Sequence, residues 1–230
     1  MHAASLLQTL TSTLTMTFQY ANFPQNATLP VPDSSGAFTI TASVPTDIWR
    51  RPTQEGILDS FNAPIVYKSI PISKFKSARV TITGKWTTLY DQGGLIVVFP
   101  STKSRPVTEK RWLKTGIEFY QGRPMASTVA TDLFSDWSLL PLDPEDEREG
   151  RMTVEVEREQ EVDGRFGSVL RVLLVGRDGK GVPVREVTWA FYDVDEEEEM
   201  WVGMLAAKPT PGGAEELEVR LEGFEIKLRD

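Results

Sequence analysis

The segment Trp112–Tyr120, WLKTGIEFY, gathers chemistry-bearing side chains on one strand-like alternation. Read with a period of two, Leu113, Ile117 and Phe119 share one face, and Trp112, Lys114, Glu118 and Tyr120 share the other. The second face presents a ring, an ammonium, a carboxylate and a phenol in a row. Rings of this kind stack on the apolar faces of pyranoses, and the charged groups take the hydroxyls. At about 3.3 Å per residue, Lys114 and Glu118 lie roughly 13 Å apart along the strand, so each needs a cross-strand partner. The alternative is a polar outer face with ordinary cross-strand ion pairs.

Two further segments carry candidates. In Tyr90-Asp91-Gln92-Gly93-Gly94 the glycines permit close backbone approach, and Asp91 and Gln92 sit at a strand mouth. In Ser135-Asp136-Trp137-Ser138, Asp136 can cap a turn, or it can face a ligand in a pocket that Trp137 lines. Carboxylate catalysis on a glycoside needs two carboxyls about 5–5.5 Å or 6.5–9.5 Å apart. The E-x-D-x-x-E pattern of jelly-roll glucanases is absent, so such a pair has to form across strands. The catalytic candidates are Glu118, Asp91, Asp136 and Lys114.

Composition closes other routes. The chain has no cysteine and one histidine, His2, which rules out thiol chemistry, cysteine-bound metals and disulfides. With 33 acidic against 25 basic residues and a net charge of -8, it offers no basic face for nucleic acid or an anionic membrane. No apolar run approaches the ~20 residues of a membrane span. No metal site and no cofactor are expected. Asp143–Glu149 and Asp193–Glu199 are acidic stretches, read as solvated loops rather than as cation or basic-partner sites. Residues 1–15, rich in Ser and Thr and without Lys or Arg, read as a disordered extension of a cytoplasmic chain.

Strands must position these groups. Alternating or apolar runs occur at Phe38–Ala42, Ile65–Ile70, Arg79–Tyr90, Leu95–Phe99, Ser127–Thr131 and Met152–Val156. They continue at Val169–Val175, read as a central strand, and at Val184–Tyr192, Trp201–Ala207, Leu217–Leu221 and Phe224–Leu228. Gly84 reads as a bulge. About ten to fourteen short strands with Gly/Pro turns indicate an all-β, two-sheet antiparallel jelly-roll β-sandwich, one domain over residues 16–230.

The blocks Trp86…Tyr90-Asp91-Gln92-Gly93-Gly94-Leu95, Trp112-Leu113-Lys114-Thr115-Gly116-Ile117-Glu118 and Ser135-Asp136-Trp137-Ser138 resemble a domain family of unknown function. That family includes the yeast regulation-of-enolase protein. Thr46-Asp47-Ile48-Trp49, Pro183-Val184-Arg185-Glu186 and Trp201-Val202-Gly203-Met204 extend the resemblance. It implies the concanavalin A-like lectin/glucanase fold with a concave face. Carried over by motif, the shared polar positions are Asp91, Gln92, Lys114, Glu118 and Asp136, with Trp137 beside them and Arg185 and Glu186 as weaker additions. The ligand-binding set expected is therefore Asp91, Gln92, Trp112, Lys114, Glu118, Tyr120, Asp136, Trp137 and Arg185. The expected function is binding of a small carbohydrate or polyol, regulatory in carbon metabolism. The alternatives are an enzyme using Glu118 with Asp91 or Asp136, and an interaction module whose partner is a metabolic enzyme.

Overall fold

The computed structural model describes residues 17–104, 110–162 and 164–229. The expected extension over residues 1–15, including His2, lies outside the described residues. In chain order the strands are β1 (Gln19–Ala21), β2 (Phe38–Ser43), β3 (Ile48–Thr53), β4 (Gly56–Phe61), β5 (Ile65–Pro71), β6 (Phe75–Gly84), β7 (Gln92–Phe99), β8 (Arg111–Tyr120), β9 (Arg123–Thr131) and β10 (Ser135–Pro141). After helix α1 (Pro144–Glu149) come β11 (Arg151–Gln160), β12 (Phe166–Val175), β13 (Gly181–Val187), β14 (Glu199–Ala207) and β15 (Glu216–Leu228).

Two antiparallel sheets face each other. One has seven strands in the order β1-β5-β14-β7-β8-β9-β10, and the other has six in the order β13-β12-β11-β6-β15-β2. The pleat sends alternate residues into the layer between them. Leu95, Val97, Leu113, Ile117, Met204 and Val202 enter from the first sheet; Val80, Ile82, Val154, Val156, Val219 and Leu221 enter from the second. Each such side chain contributes about 1.5–3 kcal/mol by leaving water. The other face of the seven-stranded sheet is also partly apolar. Ile65, Tyr67, Ile96, Val98, Trp112, Val129 and Leu205 form a second cluster there, together with Ile48 at the start of the β3–β4 hairpin.

Several expectations are corrected. The β3–β4 hairpin, not anticipated from the pattern, reads IWRRPT and GILDSF with no clean alternation. Ser135–Ser138 is strand rather than turn, paired in register with β9. The run Val184–Tyr192 is broken: β13 ends at Val187, and Trp189 and Phe191 pack edge-on against Phe99 at 5.9 and 5.7 Å. Strand β12 is second from the sheet edge rather than central. Gly84 is no bulge; it pairs in register with Val219. A Cβ at Gly84 would sit 2.7 Å from the Trp86 ring, so the glycine makes room for that indole, which donates to the Gly150 carbonyl.

Asp143–Glu149 is not an open loop either. Asp143 caps α1 by accepting from the backbone N–H groups of Glu145 and Asp146 at 3.0 Å, with Pro144 in the first turn. Gly150 ends the helix in the left-handed region at φ 59°. Arg177, Arg151 and Arg123 pair with its carboxylates. In the second acidic stretch Glu196 holds buried Arg158 in a two-point ion pair. Much of the acidity is thus matched inside the fold.

Candidate functional site

On the outer face of the seven-stranded sheet, register builds a site row by row. Gln92 of β7 pairs with Glu118 of β8, Gly94 with Gly116, and Ile96 with Lys114. On the other side of β8, Lys114 pairs with Val129 of β9, which in turn pairs with Trp137 of β10. The two glycines form a low floor between the Glu118 and Lys114 rows. A Cβ on Gly116 would lie 2.1 Å from the Gly93 carbonyl oxygen, so no side chain fits there. Asp47, Trp49 and Arg51 approach from the hairpin and its lead-in. The result is a cleft of about 500 Å³ lined by these three residues, Tyr90, Gln92, Lys114, Glu118, Val129, Trp137 and Pro209.

Its polar groups are connected. Lys114 donates to Gln92 Oε1 at 2.5 Å and to Asp47 Oδ1 at 3.5 Å. Gln92 Nε2 donates to the same Asp47 oxygen at 3.4 Å. Glu118 Oε2 accepts from Ser127 Oγ at 2.6 Å and from Trp137 Nε1 at 3.1 Å. Trp137 is held edge-on by Tyr120 at 5.3 Å, Tyr90 at 6.3 Å and Trp49 at 6.4 Å. Burial raises the Glu118 carboxyl above its usual range, against the opposing pull of Lys114, Ser127 and Trp137. Burial also lowers Lys114, outweighing the attraction of Asp47 and Glu118. Both groups are thus driven toward their neutral forms. The site offers donors, acceptors and one carboxyl with a raised pKa beside an aromatic wall, which suits a hydroxyl-rich ligand.

A family model described as a protein of unknown function, DUF1349, matches residues 21–228. The chain belongs to the DUF1349 family. An uncharacterized protein of Emericella nidulans is 39% identical to this DUF1349 chain over 207 residues, covering 90% of the chain and 92% of that protein. Regulation of enolase protein 1 of Saccharomyces cerevisiae is 31% identical over 104 residues, 45% of the chain and 46% of that protein. Among solved structures, a functionally unknown Saccharomyces cerevisiae protein matches with a TM-score of 0.68 at 24% identity, covering 92% and 96% of the two chains. The metal-free lectin I-B4 of Griffonia simplicifolia matches with a TM-score of 0.51 at 13% identity, covering 96% of each. The DUF1349 fold here is a concanavalin A-like lectin/glucanase sandwich.

Within this DUF1349 sandwich, Gln92, Lys114, Glu118 and Trp137 meet at the cleft, with Tyr120 buttressing Trp137 from behind. Four other candidates lie elsewhere. Asp91 is only 1% exposed and pairs with equally buried Lys208 at 3.2 Å; its second oxygen accepts from the N–H groups of Thr87 and Thr88. It anchors the loop that carries Tyr90. Trp112 shares the face of Lys114 but is fully buried in the cluster with Ile48, its indole N–H without a partner among the described residues. Asp136 points to the opposite side of β10, where it pairs with Arg185 of β13. That pair links the edge strands of the two sheets, so neither residue lines the cleft. Asp47, Trp49, Arg51 and Tyr90 were not anticipated as site residues. The Thr46-Asp47-Ile48-Trp49 block was the sequence signal for Asp47 and Trp49, Tyr90 opened the Tyr90–Gly94 block, and Arg51 had none; their proximity to Lys114 exists only in three dimensions. Among the described residues no acidic group of three is placed to hold a metal.

Proposed function

We propose that this protein binds a small carbohydrate or polyol in the cleft over β7–β10 and acts in the cytosol as a regulatory, lectin-like module of carbon metabolism. The observation that carries this reading is the linked Asp47–Gln92–Lys114 and Glu118–Ser127–Trp137 hydrogen bonds opening onto an aromatic wall. Hydroxyls replace one another readily in such a network, and Trp49 and Trp137 supply faces for a ring. No helix among the described residues is long and apolar enough to cross a membrane. A ligand that binds only the folded chain raises its stability, by about 2.7 kcal/mol at 100 times Kd. A thermal-shift screen of saccharides, alditols and sugar phosphates at millimolar concentration should find stabilising members. Glu118→Ala should abolish the shift, whereas Arg185→Ala should keep it. A flat screen overturns the reading.

One observation favours a second reading, an enzyme acting on a sugar derivative. Glu118 has a raised pKa and, among the described residues, is held through Oε2 alone, so it is suited to donate a proton. Asp91 and Asp136 lie off the cleft, which leaves Asp47 as the carboxylate partner. Turnover of a glycoside panel that disappears in both Glu118→Gln and Asp47→Asn supports this reading. The interaction-module alternative rests on the name of the yeast relative, Regulation of enolase protein 1. Co-purification of a glycolytic enzyme with the tagged chain, lost on Trp49→Ala, would support it.

A further inference from the structure

We infer that Lys114 is a nucleophilic amine, and that the cleft captures the carbonyl of an open-chain reducing sugar as an imine. The inference rests on the proposed binding of sugars and deepens it by naming the reactive form of the ligand. Among the described residues two lysines have buried side chains, and their settings differ. Lys208 is sealed, donating to Asp91 and Thr88 away from the cleft. Lys114 lines the cleft itself. Its nitrogen is fixed by two acceptors, Gln92 Oε1 and Asp47 Oδ1. In its neutral form the amine has two N–H bonds, one for each of these acceptors, and its lone pair takes the remaining tetrahedral direction. The cleft of about 500 Å³ that Lys114 lines gives room for the ligand. Glu118, four residues along the same strand face, keeps Oε1 free of described partners while Oε2 is tethered. Desolvation favours the free amine on Lys114 and the protonated acid on Glu118, the two forms that imine formation needs.

The chemistry balances without an oxidant or reductant. The Nζ lone pair attacks the carbonyl carbon, a C–N bond forms, and the C=O π pair moves to oxygen. Glu118, across the cleft, relays its proton to that oxygen and takes one from the new ammonium through an intervening water, leaving a neutral carbinolamine. The nitrogen lone pair then expels the hydroxyl, which leaves as water with the Glu118 proton. The product is an iminium beside the Asp47 carboxylate, which neutralises it.

The test uses the full chain with D-glyceraldehyde as the probe, borohydride trapping at neutral pH and peptide mass mapping. Lys114 should be labelled roughly 10-fold faster than exposed Lys76 and Lys85. Glu118→Gln, which retains the amine, should slow Lys114 labelling by a similar factor, and Lys114→Arg should remove that adduct alone. Labelling of Lys114 no faster than Lys76 and Lys85, or a Glu118→Gln rate equal to wild type, overturns the inference. Thermal shifts with sorbitol and trehalose, which carry no free carbonyl, separate it from the binding reading. If they stabilise the chain and no Lys114 adduct forms, only the imine fails. If neither they nor any aldose stabilises it, binding fails as well.

Discussion

At the scale of single residues, Glu118 is the most consequential group in the cleft. A carboxyl with one oxygen tied by Ser127 and Trp137, and the other without a partner among the described residues, has its affinity for a proton raised because water has been removed from around it. The folded chain therefore binds this proton more tightly than the unfolded chain, where the value is near 4.5. The resulting stability is complete below that value and is lost as pH rises through the higher folded value. Lys114 acts with the opposite sign: its folded value lies below 10.5, so stability recovers only as pH climbs from that lowered value toward 10.5. Urea unfolding between pH 4 and pH 8 should show a decline that Glu118→Gln flattens. The substitution keeps an acceptor for Ser127 and Trp137 while removing the titration. An unchanged slope would remove Glu118 as its source.

At the scale of elements, the cleft depends on two adjacent strands being bare at one position. Gly94 and Gly116 face each other across β7 and β8, and each would place a Cβ 2.1 Å from a carbonyl oxygen of the neighbouring strand. Backbone cannot yield as a flexible side chain can. Gly116→Ala should cost about 3 kcal/mol in denaturant unfolding and weaken ligand binding, because strand separation tilts the Glu118 and Lys114 rows apart. Gly36→Ala is a useful contrast: its φ of 81° brings backbone strain, but no atom lies within 4 Å of the added Cβ. It should leave binding intact. The strand alternation of β8 was legible from WLKTGIEFY because its pattern is clean, and Leu113 and Ile117 do enter the core. The β3–β4 hairpin was not, since IWRRPT contains a proline and two adjacent arginines and draws its burial from a distant sheet face.

At the scale of the whole molecule, one buried ion pair joins three distant parts of the chain. Lys208, just past β14, donates to Asp91 and Thr88, and its backbone exchanges hydrogen bonds with Thr46 beside the site residue Asp47. Both charges are sealed from solvent, so removing one leaves the other unpaired. Asp91→Asn should destabilise the fold by about 3–5 kcal/mol and loosen Tyr90 and Asp47 together. The double variant Asp91→Leu with Lys208→Met should recover much of that loss. If the single variant unfolds as wild type does, the pair does not organise the rim. The acidity of the chain is likewise a property of the assembled fold. Arg177, some thirty positions downstream, answers the carboxylates of α1, and Arg158 answers Glu196.

The sequence by itself determined the class of fold and the exclusions. Period-two alternation allows one arrangement of polar and apolar faces, and a chain with no cysteine and a single terminal histidine has no thiol or imidazole chemistry within its strands. It also singled out Lys114 and Glu118, because strand periodicity puts residues two apart on one face whatever surrounds them, while Gln92 and Trp137 stood in the blocks that resemble the family. Only the tertiary structure decided that Asp91 is a sealed anchor, that Trp112 is covered, and that Asp136 turns away to meet Arg185. It alone brought Asp47, Trp49 and Arg51 over the sheet. Those outcomes depend on which strands become neighbours and what packs on the outer face, and pairing between strands dozens of residues apart leaves no local trace in the chain.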